Sequence, residues 1–289
     1  MDALKFSQIR IENTNACGYR CKVCPREKLT RKIGIMSLDD FSLVLDKLPP
    51  FKGIFHLHGF GEPLLDKVLP DKVTLLKQKF PSSKAQIIST LGVNVKDDYF
   101  IKLAKADLDD IMISHYGYTK KAYKTAHGYD GYNLVKRNLK LLSDVLNTSY
   151  FSLSGFVKVY INSTSFSKPL DPKKALKFIK WIDSLGFHII EGADPHNYGD
   201  GRNFNKPKDE KICPVISGKR KNILHITWDL NVVPCCFDYN SSIVFGNLRT
   251  NTLDEIFSSF EYLKFLKAHR TKDLSKYPIC QNCEKNDLF

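Results

Sequence analysis

The sequence predicts an α/β protein, a partial (β/α)6 TIM-like barrel followed by a small C-terminal domain made of a β-hairpin and a helix. Three observations predict it. Six short β-branched or aromatic runs alternate with helical stretches. Polar residues gather just after those runs. A stretch at 192–214, rich in Gly, Asn, Asp, Pro and Lys, then breaks the pattern before a tail of different build.

The strands are read at 5–13, 53–59, 85–90, 110–115, 156–162 and 187–192. After the first, Ser37-Leu38-Asp39-Asp40 is a capping-box-like helix start, and Pro49-Pro50 ends that helix. Residues 134–146 form another helix, with Leu134, Val135, Leu139, Leu142, Val145 and Leu146 largely on one face. A further helix opens at Asp171-Pro172 and closes at Gly186. A full eightfold barrel would need two more units than the sequence has room for. The division is therefore placed at 1–205 for the barrel and 206–289 for the appended domain.

This order puts the polar residues on one rim. The cysteine loop follows strand one, Gly59 to Pro63 follow strand two, Ser89-Thr90 end strand three and Ser114-His115 end strand four. Asn162 ends strand five, and the loop Asp194-Pro195-His196-Asn197-Tyr198-Gly199-Asp200-Gly201-Arg202 follows strand six. Carboxyl ends of parallel strands are where barrel enzymes keep their chemistry. One shared rim predicts one active site.

Composition bounds the reading. With 289 residues and 43% hydrophobic content the chain can bury a full core. No apolar run approaches a membrane span, and Met1-Asp2-Ala3-Leu4-Lys5-Phe6 lacks the regions of a signal peptide, so a cytoplasmic protein without membrane partners is expected. The net charge of +13 is compatible with an anionic substrate or RNA, but lysines spread over every amphipathic segment read first as a solvated surface. Eight cysteines in a reducing cytosol read as metal ligands rather than disulfides.

Cys17, Cys21 and Cys24 form a CxxxCxxC triplet on the loop after the first strand. Three thiolates can hold three corners of a cubic iron–sulfur cluster, leaving one iron open for chemistry. With His58-Gly59-Phe60-Gly61-Glu62-Pro63 downstream, the chain resembles the radical S-adenosylmethionine (SAM) enzymes, whose GGEP element this GFGEP segment is similar to. The resemblance implies a [4Fe-4S] cluster that chelates SAM and, on reduction, yields a 5′-deoxyadenosyl radical that takes a substrate hydrogen. It also implies SAM contacts from Val23, Gly59, Gly61, Glu62, Ser89, Thr90 and Ser114. Glu62 would pair with the SAM ammonium, since a buried carboxylate needs a partner. Packing or helix capping explains Val23 and the hydroxyls as well. His115, a single histidine at a strand end, reads as structural.

A second set follows the barrel: Cys213-Pro214, Pro234-Cys235-Cys236 and Cys280-Gln281-Asn282-Cys283. The run from His225 to Pro234 reads as a hairpin about Asp229-Leu230-Asn231, and a helix is expected at 253–266. This order resembles the twitch domain, a short form of the SPASM extension. By that resemblance Cys213, Cys235, Cys280 and Cys283 hold an auxiliary [4Fe-4S] cluster, and Cys236 is a spare, mostly buried residue. CxxC is also a zinc spacing.

In its domain combination the chain looks most like the 2-deoxy-scyllo-inosamine dehydrogenase type. That resemblance implies two-electron oxidation of a small carbohydrate or aminocyclitol-like substrate, with the auxiliary cluster as acceptor and an external reductant such as flavodoxin or ferredoxin. Asp194, His196, Tyr198 and Arg202 are the candidate substrate residues as a group. Peptide modification is the first alternative, although a cysteine loop starting at residue 17 leaves no room for a preceding recognition domain. RNA modification and a non-catalytic zinc-bearing nucleic-acid-binding protein complete the alternatives.

Overall fold

Strand positions 9, 11, 55, 57, 85, 87, 111 and 113 are all apolar, and Ile9, Ile11, Phe55, Leu57, Ala85, Ile87, Ile111 and Ile113 are all fully buried. The intervening positions Arg10, Glu12, His58, Ile88, Met112 and Ser114 line a cavity instead. A period of two sends one face of each strand to the helices and the other inward. The structure, a computed structural model, describes residues 6–148, 153–159, 171–191, 195–202, 213 and 223–284.

The first part runs β1 (Gln8–Ile11), α1 (Leu38–Asp46), β2 (Ile54–His56), α2 (Leu69–Lys79), β3 (Lys84–Ser89), α3 (Tyr99–Lys105) and β4 (Asp110–His115). It continues with α4 (Lys120–His127), α5 (Tyr132–Leu146), β5 (Ser154–Val159), α6 (Pro172–Ser184) and β6 (His188–Glu191). The second part holds β7 (Ile223–Ile226), β8 (Asn231–Val233), β9 (Gly246–Asn247), α7 (Leu253–Ser258), α8 (Phe260–Thr271) and α9 (Pro278–Gln281).

The described strands form one open sheet in the order β6-β5-β4-β3-β2-β1-β7-β8-β9. Strands β1 to β6 pair in parallel with their sequence neighbours, as a partial barrel requires. The hairpin β7–β8 was expected in a separate domain. It does form, but β7 also pairs in parallel with β1, with Arg10 opposite both His56 and His225. The second part thus continues the barrel sheet, and the 205/206 division itself lies outside the described residues.

Local signals explain most boundaries. The Ser37 hydroxyl accepts from Asp40 N, and Asp171 accepts from Lys173 N and Lys174 N, so both expected helix starts are capped. On α5, Val135, Leu139, Leu142 and Val145 are buried, while Leu134 and Leu146 sit at the margin. The helix expected at 253–266 is two helices. Ser259 breaks it with an extended backbone (φ −66°, ψ 152°) and caps α8 by accepting from Tyr262 N. Strand β5 begins two residues before its expected start, and Asn162 lies outside the described residues.

A buried ion pair ties the loops above the sheet together. Lys72 on α2 is fully buried and donates from Nζ to Asp66 Oδ2 and to the Met36 carbonyl, both at 2.5 Å. Asp66 also accepts from Asn13 Nδ2 at 3.3 Å and from Val68 N at 3.1 Å. The segments after β1 and β2 are thereby fixed to one ammonium. Removing one partner of such a pair leaves an uncompensated charge, so Asp66→Ala is expected to cost about 3–5 kcal/mol in urea unfolding. A loss within about 0.5 kcal/mol, the size of an ordinary surface change, would show that the pair holds nothing together.

Candidate functional site

The loop from β1 to α1 is held by its own polar residues. Thr14 Oγ1 accepts from Ala16 N at 2.9 Å and donates to the Gly34 carbonyl at 2.8 Å. Asn15 donates to the Lys32 carbonyl and accepts from Gly34 N, both at 2.8 Å. Arg26 bridges the Asn15 carbonyl at 2.6 Å and the Phe60 carbonyl at 3.3 Å, so the cysteine loop and the GFGEP segment share one guanidinium.

On this loop Cys17, Cys21 and Cys24 line one cavity. Burial pushes the Cys17 thiol up to about 11, and it pushes Cys21 and Cys24 up as well. The three also sense one another: the charges of Cys24 and Cys17 raise Cys21, and that of Cys24 raises Cys17. Thiols so placed stay neutral by themselves, and a bound metal would deprotonate them outright.

Glu62 stands between this loop and the strand ends. It is 2% exposed, and its carboxylate accepts from Ser89 Oγ (2.6 Å), Thr90 Oγ1 (2.7 Å), Thr90 N (2.8 Å) and Leu64 N (3.2 Å). Its own N–H donates to the Ala16 carbonyl at 2.8 Å, one residue before Cys17. Burial still raises its pKa, since the four donors are neutral. The expected SAM contacts Val23, Gly59, Gly61, Glu62, Ser89, Thr90 and Ser114 all line the cavity. Ser89 and Thr90 spend their hydroxyl donors on Glu62.

The second cysteine set opens on the same cavity, whose volume is about 350 Å³ and whose lining includes Cys213, Cys235, Cys236 and Cys283. Cys280 is pushed up to about 12 by burial and then by the charges of Cys213 and Cys283. Burial raises Cys235 well above the usual thiol range, with Cys236, Cys280 and Cys283 adding to it. Cys213, Cys235, Cys280 and Cys283 are therefore neighbours. Cys236 departs from expectation: it is only half-buried and lines the cavity beside Cys235.

The loop after β6 docks onto this second set. His196 Nδ1 lies 2.8 Å from Glu284 Oε1, Asn197 Nδ2 donates to the Asn282 carbonyl at 3.0 Å, and Gly199 takes a positive φ of 66° against α9. His196 and Tyr198 line the cavity. Arg202 bonds Asp200 Oδ1 and the Val23 carbonyl and covers the Tyr198 ring. Asp194 lies outside the described residues. His115 is buried and stacked on Phe178 4.8 Å away.

Sequence reasoning missed the cavity floor. Arg10, Glu12, Arg31, His58 and His225 line it. Arg31 grips Glu12 through two hydrogen bonds of 2.6 Å, which leaves that pair neutral overall. Burial and the nearby Arg10 charge hold His58 well below the usual histidine range. Arg10 Nε has no hydrogen-bond partner among the described residues. The signal was present in Gln8, Arg10 and Glu12 alternating with Ile9 and Ile11 on a strand.

Residues 217–284 match the family model of the SPASM iron–sulfur cluster-binding domain. That match takes in the C-terminal part of the chain, with Cys235, Cys236, Cys280 and Cys283 inside it. The chain is 30% identical over 207 residues to a probable GTP 3′,8-cyclase of Saccharolobus solfataricus, covering 71% of this chain and 62% of that protein. It thus spans under two thirds of that relative. It is 25% identical over 320 residues to the tungsten-containing aldehyde ferredoxin oxidoreductase cofactor-modifying protein of Pyrococcus furiosus, covering 96% of this chain and 87% of the relative. Among solved structures, BtrN in complex with AdoMet and 2-DOIA superposes with a TM-score of 0.63 at 21% identity, covering all of this chain and 95% of that one.

The family match makes 217–284 an iron–sulfur cluster-binding region, and AdoMet is bound in the BtrN structure that the chain resembles. Among the described residues no three His, Cys, Asp or Glu side chains converge as one metal ion requires, although the thiols of each set feel one another's charge. Thiolates are the donors that iron–sulfur clusters take, and each set brings thiols close enough to sense one another. Among the described residues no helix is long and apolar enough to cross a membrane.

Gly61 is where the two loops touch. A Cβ there would collide with the backbone carbonyls of Thr14 and Ala16. Gly61→Ala is expected to cost about 1–3 kcal/mol by overpacking and to displace the cysteine loop. Iron per chain after anaerobic reconstitution should fall by at least half of one cluster's content, whereas full iron content would show that the loop yields freely.

Proposed function

We propose that this protein cleaves SAM reductively and oxidises a small polar, hydroxylated substrate by two electrons. The observation that carries the reading is the single cavity onto which both cysteine sets open, with Glu62 and the ends of β3 and β4 on its wall. Cys17, Cys21 and Cys24 would hold the SAM-binding cluster, and Cys213, Cys235, Cys280 and Cys283 the auxiliary one. Bound there, SAM and its cluster supply a 5′-deoxyadenosyl radical, and the second cluster supplies an acceptor for the remaining electron.

The chain's own residues provide the rest. Glu62 presents a carboxylate already fixed by four donors, so an arriving ammonium meets a rigid anion and no reorganisation is needed. His196 is the proposed acceptor of the substrate hydroxyl proton. Its Nδ1–H faces the buried Glu284 carboxylate, which leaves the basic lone pair on Nε2 and stabilises the imidazolium once the proton arrives. Arg10, on the floor beside His58, whose pKa burial lowers, favours a neutral or anionic polyol over a dicationic aminocyclitol.

Purified anaerobically and reconstituted, the protein is expected to hold about eight irons and to release deoxyadenosine when given SAM and reductant. Cys24→Ala should abolish that release. Cys280→Ala should retain part of it, because the auxiliary site acts after hydrogen abstraction. Zinc in place of iron with no SAM cleavage, or full cleavage by Cys24→Ala, would overturn the proposal.

A further inference from the structure

The carboxyl end of α4 is clamped to the cysteine loop. Arg20 N donates to the His127 carbonyl at 3.1 Å and Lys22 N to the Ala126 carbonyl at 2.9 Å, so Cys21 is bracketed by two backbone bonds to one helix end. Gly128 follows in the left-handed region (φ 64°), which lets the chain turn away against the Arg20 carbonyl. His127 itself is fully buried. Its ring lies between aromatic neighbours, stacked on Tyr116 at 4.5 Å and 18°, tilted on Tyr123 at 4.1 Å, and met edge-on by Tyr19 at 5.5 Å. Such a ring has one orientation.

Its two nitrogens have distinct roles. The backbone N–H of Tyr116 points at Nε2 from 3.1 Å, and an amide N–H can only donate. Nε2 therefore holds the lone pair, and in the neutral ring the proton sits on Nδ1. Nδ1 lies 3.2 Å from Cys21 Sγ. The geometry alone thus makes an N–H···S hydrogen bond onto the middle cysteine of the CxxxCxxC triplet.

We propose that His127 is a positioning residue for the SAM-binding cluster, its Nδ1–H donating to Cys21 Sγ and thereby raising the potential at which that cluster is reduced. The proposal rests on the cysteine assignment made above. A hydrogen bond to a ligand sulfur withdraws charge from it and so stabilises the more negative, reduced cluster. It also fixes the rotamer of Cys21 before iron arrives. The neighbouring thiols have backbone donors instead, Tyr19 N approaching Cys17 Sγ at 3.4 Å.

The test compares His127→Phe with His127→Asn in the full-length, reconstituted protein. Phenylalanine keeps the ring and its stacking without a donor, and asparagine places an amide nitrogen near the Nδ1 position. Both leave the Tyr116 N–H without its acceptor, and asparagine also loses the ring's packing, so recovery by asparagine beyond phenylalanine reads the sulfur hydrogen bond against a packing loss. The readouts are iron per chain and the midpoint potential of the cluster whose electron paramagnetic resonance signal shifts on adding SAM. His127→Phe is expected to titrate at a lower potential than wild type, or to lose iron, with His127→Asn restoring most of the difference. Equal potentials in the two variants, or loss of iron by both, would overturn the proposal in favour of packing alone. A wild-type protein with no SAM-responsive cluster would overturn the cysteine assignment instead, a distinct result.

Discussion

The burial of one carboxylate organises the active rim. Glu62 belongs to the segment after β2, takes donors from the end of β3, and gives its own N–H to the loop after β1. Three strand ends therefore meet at a single carboxylate that is almost wholly buried. A carboxylate so placed is tolerable only while every donor is present. The local rigidity of the rim follows from that requirement rather than from the sheet, whose hydrogen bonds end below it.

A second constraint works one layer deeper. The fully buried Lys72 ammonium satisfies Asp66 and the Met36 carbonyl, and Asn13 reaches Asp66 from the segment between β1 and the cysteine loop. Polar atoms rather than apolar packing thus fix where the loops sit over the core. The apolar faces of the strands and helices fix only that a core exists.

Much of this was legible in the sequence. Period-two alternation and the cap residues Ser37 and Asp171 gave the strands and helix starts because both are local effects, decided within a few residues. The triplet Cys17, Cys21 and Cys24 was legible because its spacing is itself the chemistry. What escaped was set by distant partners. Nothing near Ser259 announces that its hydroxyl will cap a second helix instead of extending the first. Nothing near His127 announces Cys21, which is 106 residues away. Cys236 looked like filler because its place on the cavity wall depends on segments far away in the chain.

The parallel pairing of β7 with β1 has a consequence for how the protein can be divided. Strand β1 carries the first cysteine loop and would be an outermost strand if the chain stopped after β6, exposing the unpaired backbone groups of Gln8–Ile11. Long bare strand edges are templates for association with other chains. Here β7 covers that edge, β8 covers β7, and β9, only two residues long, closes the series with too little backbone to recruit a partner. The SPASM-like region is thus also the hem of the barrel sheet, and the two parts are inseparable for reasons of solubility as much as of chemistry.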